Sequence, residues 1–154
     1  MQKRFINVVL GVPVHADGRI LLSQRHAPET PHVHHKWQLI GGGVEFGETP
    51  EQALTREFEE EAQLSVQMLF PHPIVKTSVW TAQQLNAQYE THATLLTYLV
   101  RLSADTPNWS NDPETSDMRW FTIEEIKALE VLPHTFEIVT EALTLLAERT
   151  ASAT

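Results

Sequence analysis

Residues 42–64 read GGVEFGETPEQALTREFEEEAQL, and this stretch decides the fold. Its middle carries the signals of a helix start. Thr49 is a capping residue, Pro50 stands at the first helical position and Glu51 puts an acid in the first turn, where it faces the positive end of the helix dipole. The pattern predicts a helix to about Ala62. With Glu57 at zero and about 100° per residue, Glu60 falls at roughly 300° and Glu61 at roughly 40°. Three carboxylates therefore share one arc of about 100°, while Glu59 at about 200° lies on another side. Leu54 and Phe58, at about 60° and 100°, are placed to pack inward beside the acids.

Such a stripe needs a counter-charge. Two carboxylates about 5 Å apart repel by roughly 3 kcal/mol at an effective dielectric near 20. A divalent cation removes that cost. Mg²⁺ takes carboxylate oxygens, water and substrate phosphates, so an all-oxygen cluster suits it. The preceding Gly41-Gly42-Gly43 lets backbone approach a metal or a phosphate without side-chain interference. An isolated run of three glutamates would read as a solvated helix face, so the wider spacing has to separate the two readings.

That spacing is Gly42, five residues, Glu48, seven residues, then Arg56-Glu57-Phe58-Glu59-Glu60-Glu61-Ala62-Gln63-Leu64. It resembles the Nudix box: Gly, five, Glu, seven, Arg-Glu, apolar, any, Glu-Glu, any, Gly, apolar. Eight of the nine specified positions match. The departure is Gln63, where the pattern has glycine at a helix end that often needs a left-handed backbone. Gln there costs about 1 kcal/mol of strain and leaves the carboxylates untouched. Ile40 is a second, softer departure, since many relatives carry proline before the glycines.

The resemblance implies an α+β (mixed α/β) fold, a Nudix-type α/β/α sandwich around a mixed β-sheet. It implies a hydrolase that cleaves the phosphoanhydride bond of a nucleoside diphosphate linked to another group, using Mg²⁺ or Mn²⁺. The residues matching the family's metal-holding or water-activating set are Glu57, Glu60 and Glu61, joined by the backbone carbonyl of Gly41. Arg56 and Glu48 match positions that orient the catalytic glutamates by ion pairing. Glu60 or Glu57 is the candidate general base, with Glu90 as a competitor. Arg25 matches a basic residue that contacts substrate phosphates in several relatives, and Asp117 is weakly similar to the base-reading acid of some oxidised-purine hydrolases.

Outward from the box, Phe5 to Val14 reads as a buried strand, Asp17-Gly18 as a hairpin turn and Ile20 to Arg25 as the returning strand. Pro28 to Lys36 reads as a loop. Trp37 to Ile40 is a short apolar run ending in the glycines. Leu64 to Phe70, Ile74 to Trp80, Thr91 to Leu102 and Met118 to Phe121 read as strands. Thr122 opens a short helix with a capping-box pattern, and a longer helix from Thr135 to Arg149 places Phe136, Val139, Leu143 and Leu146 on one stripe. Residues 1–150 are expected to form one domain, with 151–154 as a frayed, disordered tail.

Composition narrows the partners. The chain has 154 residues, 42% apolar and 20% charged, which suits a globular protein with a real core. Its net charge is −9, and seven of its 20 acids fall between Glu45 and Glu61 with only Arg56 to offset them. An acidic chain without a basic stripe argues against a nucleic-acid polymer or an anionic membrane as partner. There is no cysteine, which removes disulfides, thiolate metal sites and thiol nucleophiles, and fits a cytoplasmic setting. No apolar run is long enough to span a bilayer. A small nucleotide is the expected partner, most simply a nucleoside triphosphate, oxidised forms included. A nucleotide sugar or ADP-ribose is the alternative substrate, although Ser78-Val79-Trp80 lacks the proline of the ADP-ribose branch. A non-catalytic nucleotide sensor is the alternative from another class, and a homodimer is compatible with the apolar strand material. His32, His34 and His35 read as solvated or substrate-edge residues. Trp80, Trp109 and Trp120 are candidates for stacking on a base, weighed against core packing.

Overall fold

The computed structural model describes residues 2–152. Strand β1 (Gln2–Pro13) is followed by β2 (Ile20–Arg25), β3 (Trp37–Gln38) and β4 (Ile40–Gly43). Helix α1 (Pro50–Ala62) comes next, then β5 (Val66–Met68), β6 (Ile74–Trp80), α2 (Ala82–Leu85) and β7 (Tyr89–Leu102). The chain finishes with β8 (Thr115–Phe121), α3 (Ile123–Lys127) and α4 (Thr135–Ser152).

The mixed α+β fold is as expected, and among the described residues its strands form two sheets. The larger is mixed: β1 and β7 run parallel over twelve residue pairs, from Gln2 opposite Tyr89 to Pro13 opposite Val100, and β4, β5 and β6 pair antiparallel around them. The smaller is antiparallel, in the order β3-β2-β8. Side chains alternate between the faces of each strand. On β1, Val9 faces α1, and Gly11 leaves room there for the Phe58 ring, while Val12 faces the second core with α3 and α4. Leu54 and Phe58 are fully buried in the first core, as the helical wheel requires. A β-carbon on Gly11 would lie 2.6 Å from the Phe58 ring, so this glycine sets how closely α1 approaches the sheet.

The helix signals hold at the start of α1. Thr49 caps it, and Thr49 and Gln52 form a reciprocal capping box. Gln63 at its end adopts φ 55° and ψ 39°, the left-handed conformation that the missing glycine implied. Four expectations change. Gly41 to Gly43 lie within β4, and the turn comes after them, because their backbone pairs with Val8 to Leu10. The N-terminal half of β1 is exposed, Phe5 by 80%, since α1 covers the sheet only farther along, around Val9 and Gly11. On α4, Ile138, Val139 and Ala142 are buried while Phe136 sits at the edge of that stripe, about 60° from Val139 and 36% exposed. Helix α4 runs through Ser152, so Ala151 and Ser152 of the expected tail are helical, and Ala153 and Thr154 lie outside the described residues. Helix α2 was not foreseen, although Thr81 and Gln84 make the same capping box.

Candidate active site

Arg56 organises the acidic stripe. Its Nε and Nη2 donate to the two oxygens of Glu48 at 2.8 and 3.0 Å. Its Nη1 donates to Glu57 at 2.9 Å and, more weakly, to Glu60 at 3.4 Å, while Nη2 also reaches the Gly43 carbonyl at 3.1 Å. A planar guanidinium can hold this many acceptors at fixed angles, and an ammonium cannot. The Glu48 carboxylate also accepts from the Glu45 amide at 2.9 Å. These bonds, Arg56 first, hold the Glu48 carboxyl down at about 2.

The three box glutamates differ in depth. Glu60 is largely exposed, Glu57 is mostly covered, and Glu61 is drawn farthest in. The wheel explains the order, because Glu61 lies between Glu57 and the buried Leu54. Burial pushes the Glu57 carboxyl up, against the pull of Arg56. It pushes Glu61 up to about 8, helped by the nearby charges of Glu57 and Asp112; the Gly41 amide and Arg25 pull the other way. Glu61 Oε2 is buried without a hydrogen-bond partner. Gly42 gives Glu57 its place: a β-carbon there would meet Glu57 Oε1 at 2.5 Å.

The donor set fits a hard divalent cation. Glu57, Glu60 and Glu61 offer carboxylates with no thiolate or imidazole among them, and the buried Glu61 Oε2 stands without a hydrogen-bond partner, although the three do not bring their oxygens within 4.8 Å of one another as they stand. Buried polar atoms are rarely left in that state, and a bound cation is one way to satisfy them.

On the face of the larger sheet opposite α1, and adjoining Glu61 at Gly41 and Arg25, lies a cavity of about 460 Å³, lined on one side by Gly41, Gly42 and Gly43 and on others by Arg25, Gln38 and Trp80. Alternate residues of β1 and β7 form its wall, including Ile6, Val8, Ala93 and Leu95. The lining is mainly apolar with a few polar groups, Arg4 and Arg25 carry its charge, and no carboxylate lines it. Arg25 reaches Glu114 only at 3.8 Å, and its Nε is buried without a partner.

Glu48, Arg56, Glu57, Glu60, Glu61, Gly41 and Arg25 are thus brought together. Glu90 is not. It sits on the opposite face of β7 from Thr91 and Ala93, which line the cavity, and six residues, about 20 Å, from Leu96 in the α1 core. Asp117 is also apart. It binds the Arg119 guanidinium at 2.7 Å and the Met118 amide at 2.8 Å, and it does not line the cavity. Of the tryptophans considered for stacking, Trp80 lines the cavity, whereas Trp109 and Trp120 pack against the α1 core. Asp112 was missed. It arrives from the loop before β8, and no local pattern marks it. His26 was missed too: it meets His34 and His35, while His32 stays outside the group.

Residues 5–142 match the family model described as NUDIX domain. An RNA pyrophosphohydrolase of Acinetobacter baylyi is 33% identical over 99 residues, covering 56% of this chain and 58% of that protein. An 8-oxo-dGTP diphosphatase of Proteus vulgaris is 36% identical over 66 residues, covering 43% and 57%. The chain thus spans a little over half the length of these two relatives. Among solved structures, a MutT NUDIX hydrolase from Burkholderia pseudomallei superposes with a TM-score of 0.69 at 23% identity, covering 89% of this chain and 97% of that one.

Proposed function

The chain belongs to the NUDIX family, and we propose that it hydrolyses a phosphoanhydride bond of a small nucleotide, a nucleoside triphosphate or its oxidised form. The observation that carries this reading is the buried, unpartnered Glu61 oxygen beside Gly41 and Arg25, both of which line the cavity. The charge of this mainly apolar pocket comes from Arg4 and Arg25, its volume is that of a small-molecule site, and Glu61 adjoins it through Gly41 and Arg25.

In this reading Glu57, Glu60, Glu61 and the Gly41 carbonyl hold Mg²⁺, with Mn²⁺ as a substitute. When bound, the ion supplies charge neutralisation on the phosphates and a more acidic water. Arg56, locked onto Glu48, fixes the position of Glu57 and steadies Glu60. Glu60 takes the proton from the attacking water, because it is the most open of the three and Arg56 holds it more weakly than it holds Glu57. Arg25 offers its unpartnered Nε–H to a substrate phosphate. The nucleoside occupies the cavity, with Trp80 and Gln38 along its wall. Asp112 adds negative charge behind Glu61 and strengthens the demand for a cation.

The test is a panel of standard and oxidised nucleoside triphosphates, nucleotide sugars, ADP-ribose and a 5′-triphosphorylated RNA oligomer, each assayed with Mg²⁺ for phosphate and pyrophosphate release. Turnover of a triphosphate, reduced about 10²-fold or more in Glu57→Gln and Glu60→Gln, is the expected result, corresponding to a loss of roughly 2.7 kcal/mol or more. Binding without turnover across the panel would instead make the chain a nucleotide-sensing module. Turnover of the RNA end alone would overturn the small-nucleotide assignment.

A further inference from the structure

Away from the carboxylate stripe, His26, His34 and His35 each bring a ring nitrogen to within 4.8 Å of the other two. We propose that these three imidazoles form a second cation site, taking a borderline transition ion such as Zn²⁺ or Ni²⁺, that staples the neck of the loop between β2 and β3.

The backbone builds the cluster. Where the loop leaves β2 and returns to β3, Arg25 N–H donates to the Lys36 carbonyl at 2.9 Å, and His35 N–H donates to the Arg25 carbonyl at 2.8 Å. This pairing closes the neck and sets His26 beside His34 and His35. His35 is held at φ 63°, a left-handed conformation that costs a residue with a β-carbon about 1–2 kcal/mol. Its ring stacks on His34 with centroids 3.7 Å apart, and His26 meets His34 edge-on at 5.4 Å. Three rings of one kind are gathered where protonation would set like charges against one another.

Neutral imidazole is the ligand form, and the surroundings favour it. Burial and the neighbouring His35 and His26 lower the pKa of His34, while Glu29 works weakly in the other direction. The Ala27 amide donates to His34 Nδ1 at 3.0 Å, so that nitrogen carries the lone pair. Zinc–nitrogen bonds of about 2.0–2.1 Å in tetrahedral geometry need ligand nitrogens roughly 3.4 Å apart. Side-chain rotation closes that gap. The ion takes the Nδ1 lone pair from the Ala27 amide and opens the His34–His35 stack.

Nitrogen ligands select against Mg²⁺, which prefers oxygen, and in favour of zinc and nickel. The chain would then sort two cations between two sites. The second ion has no part in the chemistry at the box, so this inference stands whether or not the chain hydrolyses nucleotides. Its consequence is mechanical: Thr30 and Val33 of the same loop, and Arg25 at its neck, line the cavity.

The experiment titrates tag-free protein, held in saturating Mg²⁺, with Zn²⁺ in a calorimeter, and follows the Ala27 amide by nitrogen-edited NMR. The parent is expected to bind one Zn²⁺ with a shift of the Ala27 resonance. Affinity should fall at least 10-fold in His34→Ala and in His26→Ala, and stay unchanged in Glu57→Gln. His26 is exposed, so its variant keeps the test open if the His34 variant fails to fold. No Zn²⁺ uptake by the parent in Mg²⁺, or uptake by both histidine variants with the parent's affinity, would overturn the proposal.

Discussion

At the scale of single residues, Gln63 and Arg56 show opposite uses of a side chain within the box. Gln63 occupies φ 55° at the end of α1, where its amide donates to the Glu59 and Phe58 carbonyls. The bonds are those a glycine would make, and the strain is that of a β-carbon in the left-handed region. Gln63→Gly is therefore expected to stabilise the protein by about 1 kcal/mol in urea unfolding, net of glycine's extra freedom in the unfolded chain, and to leave the carboxylates in place. An unchanged or lower midpoint would mean that local packing already absorbs the strain. Arg56 is the opposite case, a residue whose shape is used in full. Lysine can keep the charge but not the paired bonds to Glu48 together with the bond to Glu57. Arg56→Lys should lower kcat/KM for nucleotide hydrolysis at least 10-fold, about 1.4 kcal/mol, with little change in far-ultraviolet circular dichroism.

At the scale of elements, helix α1 has to deliver three carboxylates to one edge of the sheet, and Gly11 decides whether it can. A methyl group there would overlap the Phe58 ring. Gly11→Ala should destabilise the protein by about 1–3 kcal/mol and also reduce turnover, because any retreat of α1 carries Glu57 away from Gly42. Full activity with unchanged stability would show that the ring can turn aside. The same helix shows what a sequence makes legible. Its cap, wheel and box spacing are all written within 23 residues, so its start and inward face, and the left-handed residue at its end, could be read directly. Strands β6 and β7 were legible for a similar reason: β-branched and aromatic residues are dense between turn signals. The cavity was not legible. Its wall combines Ile6 and Val8 with Ala93 and Leu95, which meet only because β1 and β7 pair in parallel across nearly ninety residues. Glu90 shares the face of β7 that carries Leu96 into the α1 core, and six residues of strand separate the two, a distance that no local pattern announces. Asp112 and the meeting of His26 with His34 depend on loop paths, for which no periodicity exists.

At the scale of the whole molecule, the net charge of −9 becomes a statement about pH and cations. Two glutamates pull stability in opposite directions. Glu48 is more acidic folded than unfolded, near 2 against an ordinary 4.5. Its contribution is complete above the unfolded value and is lost as pH falls from about 4.5 toward 2. Glu61 is less acidic folded, near 8 in the metal-free protein. Its protonated form favours the fold below about 4.5, and that contribution disappears as pH rises toward 8, when a buried charge must form beside Glu57 and Asp112. In a chelator the melting temperature should therefore fall between pH 5 and pH 8. Mg²⁺ should reverse the fall, by about 2.7 kcal/mol at a hundredfold excess over its dissociation constant, since the ion binds the ionised carboxylates of the folded chain. Glu61→Gln should flatten the metal-free slope and remove much of the Mg²⁺ effect. Thermal melts at several pH values, with chelator or with Mg²⁺, for parent and variant, make the comparison. A metal-free protein equally stable at pH 5 and pH 8 would mean that the stripe carries no unmet demand for a cation, and that the acids between Glu45 and Glu61 are a solvated face after all.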